Sequence, residues 1–329
     1  MLRRFSVLGT VGGSVLALAV AATPPSAMAG PAMEWHSAAP LPHALQEVGS
    51  VALGDYVYVA GGLGLPTEPG IQQVVFSDDH LRFDTRTGSW QQLAPMPIAQ
   101  HHLQGVVVNG KIYYIGGEEG PALIPNGRVW EYDPVTDSFT ERARMPLNRT
   151  RGAAGVAVHE DKIYVAGGYN GILAALPYFD VYDPATDTWT PLPDMPNARE
   201  HLGAVVVDGK LYAVGGRFVI QPAFIRPTDV FDFGTQTWNT GWPIPRGRGG
   251  LGVAAIGDKI YAFGGEGVGP SFDYTDVLDT ATMRWTQRTP MPVGRHGIQA
   301  AVVDNRVVLA GGAEISVYWP TADVQVFQP

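Results

Sequence analysis

The stretch HLGAVVVDGKLYAVGG at residues 201–216 decides the architecture. It reads as two short apolar runs, Gly203 to Val207 and Lys210 to Gly216, joined by Asp208-Gly209. A two-residue link of this kind takes positive φ, which Asp and Gly tolerate, and its twist matches that of an antiparallel hairpin. The second run ends on Gly215-Gly216, and that pair is the mark to follow outward. Gly-Gly ends a hydrophobic run six times, beginning at Gly61, Gly116, Gly167, Gly215, Gly264 and Gly311, with spacings of 55, 51, 48, 49 and 47 residues. A repeat of this length means stacked copies of one supersecondary unit.

Other landmarks keep step with the pairs. Trp90, Phe139, Trp189, Trp238 and Trp285 follow turn segments such as Tyr132-Asp133-Pro134 and Tyr182-Asp183-Pro184, and Met-Pro follows the aromatic at Met96, Met145, Met195 and Met291. Each unit therefore reads as four antiparallel strands, a to d. In the fourth unit strand c is Thr228 to Asp232 and strand d surrounds Trp238. The a–b link recurs as Gly54-Asp55, Asn109-Gly110, Gly257-Asp258 and Asp304-Asn305. The last unit stops after strand c, at Val324 to Phe327, while residues 33–38 carry an orphan tryptophan, Trp35. That N-terminal segment is predicted to be strand d of the sixth unit, closing a ring and hiding edges that would otherwise pair with other chains.

This combination resembles the Kelch-repeat family, in its secreted bacterial form, over residues 30–329. The resemblance implies an all-β fold, a six-bladed β-propeller like the central domain of galactose oxidase, whose ligands dock on the face formed by the d–a and b–c loops. Related enzymes set tests. The copper-radical oxidases need a tyrosine cross-linked to cysteine, and this chain has no cysteine. The specifier-type iron proteins carry Glu-x3-Asp-x3-His, a pattern no glutamate here begins. A sialate-mutarotase-like activity stays open, because opening a sugar ring needs only a positioned acid–base pair. No helical partner domain of the kind found in cytosolic Kelch adaptors is read in these residues, so a ubiquitin-ligase role is not expected.

The first 29 residues read as a cleaved leader. Arg3 and Arg4 precede an apolar stretch from Val7 to Ala22, and Ala27-Met28-Ala29 offers a small-x-small cleavage site. The apolar part is short for a membrane span of about 20 residues and runs into Pro24-Pro25. Export by the general route or the twin-arginine route, to a secreted or periplasmic location, is the expectation. Loss of the two arginines takes the net charge from -9 to -11, since no acid lies in the segment. An acidic chain lacks the basic footprint that nucleic acid demands. We expect a monomer binding a protein or a glycan, with no cofactor.

Two loop faces differ in character. All four lysines, Lys111, Lys162, Lys210 and Lys259, follow a–b turns, a regularity that reads as a solvated structural rim. The b–c loops are irregular and carry Glu118, Glu119, Tyr169, Asn170, Arg217, Arg226, Glu266, Asp273, Tyr274, Glu314 and Trp319; the first, from Leu63 to about Asp78, reads as irregular and without a strand. In the d–a loops, counting back from Gly-Gly aligns Arg199, Arg248 and Arg295 with Gln100, and neighbouring columns hold Glu47, His101, His102, Arg151, Glu200, His201 and His296. The arginines suit bidentate capture of a carboxylate, or else they pin loops by bonding carbonyls and acids. Ligand binding is assigned to Arg151, Arg199, His201, Arg217, Arg248, Arg295, His102, Glu118 and Glu266, and Glu47, Glu200 and His201 are the acid–base candidates. His102, His201 and His296 fall in alternate units. Sharing one ion would bring their nitrogens within about 3.5 Å of one another. A six-bladed channel is read as too wide for that, so they are taken as polar lining and no metal is assigned.

Overall fold

The computed structural model describes residues 33–65, 74–172, 175–218 and 223–329. The leader lies outside them. Among the described residues, no helix is long and apolar enough to cross a membrane.

Six four-stranded antiparallel sheets follow one another along the chain. Blade 4 is representative: strand a is Gly203–Val207, b Lys210–Val214, c Asp229–Asp232 and d Thr237–Thr240. The a–b hairpins turn as expected, with φ of 47° at Asp208 and 66° at Gly209, and Glu160-Asp161 makes the same turn in blade 3 with φ of 48° and 58°. The innermost strands touch in cyclic order, with Ala300–Val303 of blade 6 against Gly49–Leu53 of blade 1. Strand d of blade 6 is Glu34–Ala38, paired with Val324–Gln328 in the register Trp35 opposite Phe327. The two ends of the propeller thus share one sheet.

The tryptophans act between blades. Each strand-d indole donates its N–H to a backbone carbonyl of the preceding blade's outer edge: Trp35 to Thr289, Trp90 to Ala39, Trp189 to Ala143, Trp238 to Pro193 and Trp285 to Trp242, at 2.8–3.2 Å. The Gly-Gly pairs do the same nearer the axis. A Cβ on Gly264 would lie 2.2 Å from the Arg295 carbonyl of the next blade, and Gly265 N–H donates to that carbonyl at 2.8 Å. Glycine is required because the neighbouring backbone occupies the space of a side chain. Gly312 donates to Leu45 O at 2.8 Å, making the same link between the last blade and the first.

Two readings change here. The first b–c loop does carry strand: Leu63–Gly64 pairs with both Val75–Phe76 and Leu45–Gln46. Its Pro66, Pro69 and Gly70 lie outside the described residues. The lysines are paired as well as solvated. Lys111, Lys162, Lys210 and Lys259 face Asp133, Asp183, Asp232 and Asp279, the acids that end strand c.

Candidate functional site

The d–a loops meet at the axis and set two layers of charged side chains. The outer layer holds Arg151, Arg199, Arg248 and Arg295, each sixteen residues before the carbonyl of a first Gly-Gly glycine. Arg151 therefore belongs in the same column as the other three, not in the neighbouring one. All four are 0% exposed. Arg151 donates to Gly167 O, Arg149 O and Val165 O, and Arg248 repeats the set on Gly264, Arg246 and Ala262. Each also meets an acid or amide of strand c: Arg151 with Asp180 at 2.8 Å, Arg199 with Asp229 at 2.6 Å and Arg248 with Asp276 at 2.9 Å. In blade 6 Gln325 takes that position, its amide oxygen turned to accept from Arg295 at 2.8 Å. Burial pulls Arg151 and Arg295 down to about 10, so they stay cationic at neutral pH. These four are loop clamps. Their assignment as ligand-binding residues is corrected: all four side chains are buried and bond backbone carbonyls and a strand-c acid or amide, with Arg295 Nε alone among their donors lacking a partner.

The inner layer is built two residues further on. Glu47, His102, Ala153, His201, Gly250 and Gly297 all have left-handed backbone, with φ of 50° to 64°. Their peptide groups form a closed circlet: Glu47 N–H donates to Gly297 O, Gly297 to Gly250, Gly250 to His201, His201 to Ala153, Ala153 to His102, and His102 back to Glu47, at 2.8–3.2 Å. Three of the six side chains are small. The other three, Glu47, His102 and His201, turn toward the axis and line a recess of the channel.

The residues after three of the Gly-Gly pairs complete the group: Glu118, Arg217 and Glu266 converge with His101, Glu200 and His296 and with Glu47, His102 and His201. His102 Nε2 lies 3.6 Å from Glu47 Oε2, and its Nδ1 lies 3.7 Å from Glu118 Oε2 and 2.5 Å from His101 Nδ1. His296 Nε2 stands 3.8 Å from both Glu47 and Glu266, and Ser271 Oγ bonds its Nδ1 at 2.9 Å. Arg217 Nε donates to Glu200 at 2.5 Å, its NH1 pairs with Glu266, and Glu200 bonds His201 Nδ1. His102 and His201 have ring centroids 4.8 Å apart.

Electrostatics follow from burial. Loss of water, with Glu266 adding to it, pushes the Glu47 carboxyl up to about 8. Loss of water raises Glu118 well above the carboxylate range. Burial pulls His101 down to about 4 and His102 and His201 well below the usual imidazole value, with Arg217 reinforcing the last two. Neutral imidazoles and a protonated carboxyl are therefore the resting forms. His102, His201, Arg217, Glu118, Glu266, Glu47 and Glu200 all meet here. The expectation that the channel keeps the histidines apart is corrected for His102 and His201, because left-handed backbone at 102 and 201 aims both rings inward. Asp180, Asp229, Asp276 and Ser271 were missed; the three acids carry a signal, since an acid occupies that place in strand c only in blades whose d–a loop has the arginine.

Comparison with known proteins agrees with this geometry. The model of the KLHDC2/KLHL20/DRC7 Kelch-repeats domain matches residues 106–312. The chain is similar to the Kelch-like protein terF of Aspergillus terreus, 36% identical over 181 residues, covering 52% of this chain and 39% of that protein. Kelch-like protein 15 of Danio rerio is 29% identical over 183 residues, covering 50% of this chain and 29% of that protein. The chain thus spans less than half the length of these relatives. The solved structure of YjhT superposes with a TM-score of 0.73 at 17% identity, covering 87% of this chain and 95% of that one, which speaks to fold alone. With the family model running from strand a of blade 2 to the last Gly-Gly pair, the chain belongs to the Kelch-repeat family.

Proposed function

We propose that the chain is an exported, monomeric binding propeller that takes a protein partner on the face of its d–a and b–c connections. One observation carries the reading. Eleven of the twelve exposed large apolar side chains among the described residues lie in those connections, and only Val135 lies in a turn on the other side. Ile124, Ile172, Phe218, Val268 and Trp319 fall in five successive b–c loops. An apolar set confined to one side of a soluble scaffold marks a surface that excludes water against a partner. Membership in the Kelch-repeat family, whose propellers commonly bind proteins, supports a protein partner over a glycan. The leader read in residues 1–29 supports export.

The test is a surface-binding screen against panels of secreted proteins and glycans. A Phe218→Ser/Trp319→Ser variant is expected to bind at least about ten-fold more weakly than the unaltered chain, and Val135→Ser to bind equally well. Equal binding by the double variant removes the surface; glycan-only binding removes the protein partner.

A second reading, a carbohydrate-active acid–base enzyme, draws on Glu47. Its carboxyl, pushed up to about 8, is a proton donor at neutral pH, and Glu200 holds His201 nearby as an acceptor. Polarimetry on free sugars, with Glu47→Gln as the inactive control, tests it. No acceleration of ring opening ends it.

A further inference from the structure

We propose that Glu47, His102 and His201 form a binding site for a divalent transition-metal ion of the zinc or iron(II) type, set on the propeller axis. The three donors come from equivalent positions of blades 1, 2 and 4, on the rigid backbone circlet, and one ligand atom from each lies within 4.8 Å of the others. The His102–Glu47 pair, at 3.6 Å, is a few tenths of an ångström wider than the roughly 3.3–3.4 Å between donors of a tetrahedral ion with bonds of about 2.0–2.1 Å. Two imidazoles with one carboxylate is a set suited to zinc and to iron(II). The recess beside the three leaves coordination positions open toward the channel.

The surroundings fit a cation. Ligating histidines ordinarily have the other ring nitrogen held by a carboxylate, which fixes the ring. Here Glu200 bonds His201 Nδ1, and His102 Nδ1 is held by His101 Nδ1 at 2.5 Å with Glu118 Oε2 beyond bonding distance at 3.7 Å. Charge balance points the same way. Glu47, Glu118, Glu200 and Glu266 are all buried, and the cation among them is Arg217, which pairs with Glu200 and Glu266. Glu118 Oε1 has no hydrogen-bond partner. Buried carboxyls in surplus need protons or a cation, and a dication offsets two of them. Arg217 NH2 lies 3.4 Å from both His201 nitrogens while its Nε and NH1 pair with Glu200 and Glu266, so an ion on His201 Nε2 requires NH2 to give way there. Gly297 keeps open the space into which Glu47 leans, since a Cβ there would lie 2.6 Å from Glu47 Oε1.

The test uses the whole chain, expressed without a histidine tag, stripped with chelator and titrated separately with Zn2+ and Co2+. One equivalent per chain is expected. Glu47→Gln, which keeps the shape of the side chain, and His102→Ala are each expected to weaken binding at least about ten-fold, and Glu200→Gln by about 10- to 100-fold. His36→Ala, which replaces an exposed histidine, changes nothing. Binding below one equivalent, or affinity unchanged in folded Glu47→Gln, overturns the site. X-ray absorption of the cobalt-loaded unaltered chain needs no variant: two imidazole ligands are expected, and an all-oxygen shell overturns the assignment. Loss of partner binding by the loop-face variant leaves these readouts unmoved, so the two proposals fail separately.

Discussion

The clamp layer lies in the d–a loops and the mouth cluster is shared between those loops and the b–c loops, and both bury charge, yet they are opposite in kind. Arg199 has Asp229 and three backbone carbonyls. Glu118 leaves one carboxylate oxygen without a partner among protonatable neighbours. Burial alone therefore says nothing about role. A buried charge with every bond satisfied holds the fold, and a buried group in surplus is available for chemistry.

The largest break should come in the clamps. Arg199→Ala leaves Asp229 buried without its counter-charge, with only Asn197 and Thr240 still donating to it, and is expected to cost about 3–5 kcal/mol in urea unfolding. Replacing both partners, as Arg199→Met/Asp229→Leu, should recover most of that loss. Glu118→Gln should change stability by less than about 1 kcal/mol, because burial already favours the uncharged form. A loss at Glu118 as large as that at Arg199 would erase the distinction between the layers.

Acid should separate the blades next. Blade 1 has Leu45 where blades 3 to 6 have arginine, and it buries His80, bonded to Tyr114 at 3.1 Å and pulled down to about 4 by burial. Since the folded state prefers neutral His80, its contribution is full above the ordinary value of 6.5 and is lost as pH falls toward 4. A loss of a few kcal/mol over that window is expected, shallower in His80→Gln, while Arg151 and its like stay charged throughout. Chemical denaturation at stepped pH reads it; equal slopes in the two chains would remove His80 as the cause.

The smallest effect belongs to the opposite rim. Lys210 stands 3.9 Å from Asp232 with its side chain 45% exposed, so Lys210→Ala should cost no more than about 0.5 kcal/mol. A larger shift in the thermal midpoint would mean that the rim ladder shares in holding the blades.

The sequence made the ring legible because its causes recur. Glycine stands wherever a neighbouring backbone crowds in, and tryptophan wherever an indole reaches the blade before it. Trp35 without its own sheet and Val324–Phe327 without a tryptophan could only complete each other. The clamps were half legible: the offset from Gly-Gly found the column, but telling a clamp from a ligand site required seeing Asp180, Asp229 and Asp276 beneath it. The cluster was least legible. Glu118, Arg217 and Glu266 could be placed after their glycine pairs, but their convergence depends on the width of the ring and on the left-handed turn at residues 47, 102 and 201, which no local pattern announces.

The circlet at the axis is made of peptide groups only. Six sockets therefore sit on a hoop that does not depend on what is plugged into them, provided each residue accepts the left-handed turn. A new set of side chains could be fitted there without rebuilding a single blade, so the axis is where this architecture can change its chemistry at the least structural risk.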